Sequence, residues 1–109
     1  MKVVINNIIP FKGYIAMTVY PFIFARDKLS DMIFNHESIH GEQQKETLIL
    51  LFFLLYILEY IIKLIITFNH NKAYKSISFE QEAYAFEKDI NYISKRKRYC
   101  WIKYIFKLN

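Results

Sequence analysis

Two histidines four residues apart enclose a glutamate in the run His36-Glu37-Ser38-Ile39-His40. On a helix, positions i and i+4 share a face, so both imidazoles can bind one zinc ion while the carboxylate between them points to the same place. H-E-x-x-H thus supplies two metal ligands and a general base, here Glu37. The plainer reading, two histidines and a glutamate on a solvated helix face, has to be tested against the flanking residues. A hydrolytic zinc site also needs a third protein ligand and an open position for water.

Three glutamates compete for the third place. Glu59 follows His40 with 18 residues between, but an unbroken helix would carry it about 28 Å away. It pairs better with Lys63, four residues on. Glu80 and Glu82 stand in Phe79-Glu80-Gln81-Glu82-Ala83-Tyr84, at the start of a later helix. By helical angle Glu82 lies nearer the Phe79/Phe86 stripe.

The elements that must position these residues fall into three regions. Residues 2–26 are rich in Val, Ile, Tyr, Phe and Thr and punctuated by Pro10, Gly13 and Pro21. They read as short antiparallel strands near 2–9, 14–19 and 22–26. A helical pattern without proline follows over 31–67, with Ser30 as N-cap and Asp31 in its first turn. A second helix is expected over 78–98, opened by a capping box in which Ser78 caps and Gln81 reaches back. Phe79, Ala83, Phe86, Ile90 and Ile93 give it an apolar stripe. A basic aromatic tail, 95–109, closes the chain. The fold class expected is α+β, in one domain over 1–109.

Residues 47–68 are the hard part of that scheme. Their only charges are Glu59 and Lys63, and about 20 apolar residues can span a bilayer core. A single crossing would put His36 and His40 on one side and every later glutamate on the other. A straight helix from His40 to Thr67 is about 40 Å long, and thirteen extended residues return about 43 Å. The helix is therefore expected to kink or break within 47–60, or to double back. As a core helix, or one dipping into a membrane interface, it satisfies both observations.

Charge is placed unevenly. The net +5 lies wholly after Phe68, where nine basic side chains face four acidic ones, densest at Lys95-Arg96-Lys97-Arg98. No nucleic-acid fold signature accompanies that run, so no nucleic-acid partner is expected. Contact with anionic headgroups and a solvated helix end both remain as readings. Cys100 is the sole cysteine, so no intrachain disulfide can form. The N-terminus lacks a long apolar run with a small-residue cleavage site. A cytoplasmic or membrane-associated location without a signal peptide is expected.

The motif at 36–40 followed by Phe79-Glu80-Gln81-Glu82-Ala83-Tyr84-Ala85-Phe86 resembles the gluzincin metallopeptidases, above all the minimal single-domain ones. The resemblance covers about 31–46 and 78–90. It implies strands before the active-site helix and a third zinc ligand on a later helix, in the pattern E-x-x-A-[DN]. Laid on this chain, that pattern makes Glu80 the ligand, with Glu82 as the alternative. It leaves Tyr84 where an acidic or amide residue usually steadies a histidine, so Tyr84 and Glu87 become the candidates for that supporting role or for the transition state.

The expected chemistry is peptide-bond hydrolysis at Zn2+ held by His36, His40 and Glu80, with Glu37 as base and a peptide or protein as substrate. The strand at 14–19 or at 22–26 would bind that substrate by edge pairing. His70, in Asn69-His70-Asn71, reads as a turn residue. A latent enzyme, its cleft filled by the tail, fits the same residues. The alternative from another class is a non-enzymatic, membrane-associated helical interaction protein with a degenerate or purely structural zinc site.

Overall fold

The strand-forming residues of the first region pair into a three-stranded sheet made of β1 (Lys2–Ile5), β2 (Ala16–Val19) and β3 (Phe22–Ala25). The computed structural model describes residues 1–10 and 13–109. Phe11 and Lys12, inside the expected strand region 2–26, lie outside the described residues. The sheet is mixed rather than antiparallel, in the order β1-β3-β2. β2 and β3 form an antiparallel hairpin through Tyr20-Pro21, whereas β1 runs parallel to β3, with Lys2 opposite Phe22. β1 and β2 are therefore the two edges of the sheet, and short apolar runs carry no mark of the direction in which they will pair. Burial alternates along β3, where Ile23 and Ala25 are fully buried between the more exposed Phe22 and Phe24.

Helix α1 (Asp31–Glu46) starts as its residues dictate: the Ser30 hydroxyl accepts from the Ile33 amide at 3.2 Å, with Asp31 in the first turn and Lys45 in the last. The long helical pattern then breaks at 47–49, inside the expected window. Thr47 closes α1, its amide and its hydroxyl both donating to the Gln43 carbonyl, the hydroxyl at 2.9 Å. Leu48 and Ile49 take φ of 57° and 61°. A positive φ is uncommon for a residue with a Cβ and rarest for a β-branched one such as Ile49. The corner is stabilised by the Ile49 amide bonding the Gln44 carbonyl at 2.7 Å.

Helix α2 (Leu50–Thr67) leaves this corner, ends at a left-handed Phe68, and is followed by α3 (His70–Ser76) packed back along it. Ile77 links α3 to α4 (Ser78–Phe86). The expected helix over 78–98 is two pieces, α4 and α5 (Tyr92–Lys95), before a 3₁₀ turn at Cys100–Tyr104.

Both ends of α4 are fixed by distant residues. At its start the Glu59 carboxylate accepts from the Ser78 amide and from the Ser78 hydroxyl, each at 2.7 Å. Ser78 is thus a donor inside the helix and not its cap. Gln81 does not reach back to it but donates to the Ser76 and Lys107 carbonyls. An anion at a helix N-terminus is where the peptide dipoles favour one. At the other end, the Asn35 amide of α1 donates to the carbonyls of Phe86, Glu87 and Asp89 at 3.2, 2.8 and 3.0 Å. It takes up the last carbonyl of α4 and two just beyond it, tying the end of that helix to α1.

Two apolar clusters fill the interior. Phe52, Ile77, Phe79 and Trp101 make one, and Ile39, Ala83 and Tyr92 the other, with Phe86 stacked on Tyr92. Lys63 is buried as well. It reaches Glu59 at 2.8 Å, the expected i,i+4 pair, and also donates to the Ser76 and Lys107 carbonyls. The two charges of α2 therefore point into the protein.

Candidate metal centre

One turn of α1 sets His36 and His40 side by side, and the fixed start of α4 brings Glu80 up to both. The Nε2 atoms of His36 and His40 each lie 3.1 Å from Glu80 Oε1. All three side chains are buried. Ligand atoms of His36, Glu37 and His40 lie within 4.8 Å of one another.

The outer nitrogen of each imidazole is already committed. His36 Nδ1 meets Glu87 Oε1 at 2.9 Å, and His40 Nδ1 meets Gln43 Oε1 at 2.7 Å. The Gln43 amide is oriented by its own donations to the Phe79 carbonyl and to Glu82 Oε1, both at 3.0 Å. Both partners are acceptors, so both Nδ1 atoms carry the proton and both neutral rings turn a lone pair inward at Nε2. With both rings neutral, two lone pairs and a carboxylate oxygen converge. This donor set fits a cation, and nitrogen with carboxylate oxygen is a set that zinc takes.

Without a metal, a proton has to fill that role. Burial pushes the His40 imidazole down, but the Glu80 carboxylate more than reverses this and lifts it to about 9. Burial likewise works against a charged Glu80, yet His40 and His36 hold its carboxyl well below the ordinary carboxylate range. Glu80 Oε2 accepts from the Tyr56 hydroxyl at 2.6 Å, and burial together with that carboxylate pushes the Tyr56 phenol up.

Glu37 is held from the sheet. Its Oε1 accepts from the Thr18 hydroxyl at 2.8 Å, and the same hydroxyl lies 3.0 Å from the Glu37 carbonyl. Burial raises the Glu37 carboxyl, opposed by His40, His36 and Thr18. Two cavities meet at this residue. One, of about 450 Å³, reaches His40 and Glu80 between the edge strand β2 and the α2 residues Phe53, Tyr56 and Ile57. The other, of about 420 Å³, reaches His36 beside Tyr84 and Glu87. Neither is lined by any residue after Glu87, so the tail does not fill the cleft.

The remaining candidates separate cleanly. Glu82 turns away from the histidines into the core, where it accepts from Gln43, from Tyr92 at 2.6 Å and from Arg96 Nη2 at 3.0 Å. Glu87 supports a histidine through a hydrogen bond. Tyr84 lies edge-on against the His36 ring, with centroids 4.6 Å apart, and its hydroxyl faces that of Tyr74 at 3.3 Å. His70 is an exposed residue of α3 bonded to the Tyr60 hydroxyl at 2.8 Å. Arg96, inside the run read as a solvated or lipid-facing end, is buried, and it bridges Glu82 and Glu46.

Sequence reasoning did not single out Thr18, Gln43 or Tyr56. Gln43 left a signal, since it stands three residues after His40 on the same helix face. Thr18 and Tyr56 come from other elements and left none. Comparison with known protein families, with curated proteins and with solved structures finds no match for this chain.

Proposed function

We propose that the chain is a gluzincin-type zinc metallopeptidase that hydrolyses a peptide bond in a peptide or protein substrate. The observation that carries this is the convergence of His36 Nε2, His40 Nε2 and Glu80 Oε1 beside Glu37, which lines an adjoining cavity. His36, His40 and Glu80 would hold the ion, with Glu87 and Gln43 fixing the two rings. When bound, zinc polarises a carbonyl and brings the pKa of a water toward about 7.

The chain's own groups supply the rest. Glu37, steadied by Thr18, takes the proton of the attacking water and returns it to the leaving amine. Burial favours a base of this kind, because a raised carboxyl binds the proton it must carry. β2 is the edge strand of the sheet, and Ala16, Met17 and Thr18 line the cavity, so an extended substrate can pair along it. A purely structural metal is normally enclosed by four protein ligands. A large cavity reaching Glu37, His40 and Glu80 favours the hydrolytic reading.

Metal analysis and a peptide-library digest test this together. The purified chain should carry about one zinc, as a single three-ligand site requires. Glu37→Gln should keep the metal and lose roughly 100-fold or more of the hydrolysis. A chain that carries zinc but cuts nothing in the library, with or without the substitution, would return the site to the structural class.

A further inference from the structure

The outer side of α2 is the largest feature that the metal centre does not use. Its 18 residues have a mean hydropathy of 2.2, yet only 11% of them are buried. Leu50, Leu54, Ile57, Leu58, Ile61 and Ile65 are 47–71% exposed. Glu59 and Lys63 turn inward, so this face presents no charge over a length of about 27 Å.

We propose that this face docks an anionic lipid bilayer, with α2 lying in the plane of the interface. The elements packed on α2 argue for that orientation. α3 runs along its inner side, tied on by Tyr60 to His70 and by Lys63 to the Ser76 carbonyl, and the tail joins through the Lys107 carbonyl. A helix crossing the bilayer would drag the exposed Lys72 and Lys75 of α3 into hydrocarbon, which is costly for ammonium groups. Lying flat, α2 sinks its aliphatic face and leaves those lysines at headgroup level.

Charge selects lipid over a second copy of the chain. Neither α3 nor residues 100–109 contain an Asp or Glu, while they carry Lys72, Lys75, Lys103 and Lys107, all exposed. Those lysines lie on the two segments tied to α2 through Lys63. They attract anionic headgroups and repel an identical partner. Phe106, between Lys103 and Lys107 in the chain, is 98% exposed and adds an apolar group to the basic tail.

The cavity gives the surface a consequence. Ile57 belongs to the exposed face and also lines the cavity that holds Glu37 and His40. The cleft thus opens beside the lipid, and its substrates are peptide segments presented at a membrane surface. That last step rests on the hydrolytic reading; the docking itself does not.

Flotation of the full chain with vesicles tests it, comparing phosphatidylcholine alone with phosphatidylcholine containing phosphatidylserine. Binding should be strong with the anionic vesicles and weaken in high salt. Leu58→Glu with Ile65→Glu should lower it by roughly 100-fold or more, from the apolar area no longer buried, while leaving the zinc content unchanged. Lys103→Gln and Lys107→Gln should each lower it about fivefold. A monomer that ignores both vesicle types would overturn the proposal, and so would a stable dimer that Leu58→Glu dissociates. Resistance to alkaline carbonate extraction would overturn the in-plane orientation. Docking by a chain that hydrolyses neither a free nor a lipid-anchored peptide would leave the surface standing and remove the peptidase.

Discussion

Two buried polar clusters sit on either side of α4, and they differ in where their positive charge comes from. On one side Glu82 and Glu46 close around Arg96, whose guanidinium bonds Glu46 through Nη1 and Nη2, both at 2.9 Å. Tyr92, the Tyr99 amide and the Trp101 indole take up further acceptor positions. On the other side Glu80 meets two imidazoles whose protons are committed outward. The first cluster brings its own cation and is complete. The second has only a proton on His40 to offset Glu80, and it borders a cavity. A buried carboxylate thus reads as structure or as site according to whether the chain itself neutralises it, and two residues along one helix are enough to change the answer.

Breaking the first cluster should have the largest effect. Arg96→Met leaves two carboxylates buried without a partner and should cost about 3–5 kcal/mol. Denaturant unfolding measures this, and added zinc should not restore it. Emptying the second cluster should cost less: with zinc at 100 to 1,000 times its dissociation constant, chelation should lower stability by about 3–4 kcal/mol. Thermal melts with and without chelator read that difference, and Arg96→Met should leave its size nearly unchanged. If chelation had no effect on a zinc-loaded chain, the contrast between the clusters would be lost.

Smaller changes sharpen the comparison. Glu87→Gln keeps an acceptor for His36 Nδ1 but removes the charge, and zinc affinity should fall about 10-fold or more. Competition with a chromogenic chelator gives the number. Tyr56→Phe removes one hydrogen bond to Glu80 Oε2 and should cost about tenfold or less in the same assay. A larger loss from Tyr56 than from Glu87 would mean that α2, more than the histidine supports, holds the site together.

Local features were legible. The Ser30 cap, the Glu59–Lys63 pair and the break required within 47–60 follow from spacing and reach alone. The break brings Glu80 to the histidines without the fully extended return that a straight helix would need. What failed were inferences from one segment about its own ends. Ser78 and Gln81 have the types of a capping box, but the Glu59 carboxylate is the stronger acceptor and took the helix start. Ile90 and Ile93 continue the apolar stripe, but Asn35 satisfies the carbonyls that a longer α4 would have used. Arg96 looked like its basic neighbours until two buried glutamates claimed it.

The sequence by itself determined the chemistry available here: two imidazoles on one helical face, a carboxylate between them, and a helix too apolar to stand alone in water. These are properties of residue type and of a 3.6-residue period, and they need no knowledge of neighbours. Only the tertiary structure set Glu80 against the histidines and Glu82 against Arg96, joined Tyr56 and Thr18 to the cluster, and turned both charges of α2 inward. Those outcomes depend on which acceptor lies nearest a donor in space, and residues 24 or 51 positions apart in the chain are joined only when the fold closes.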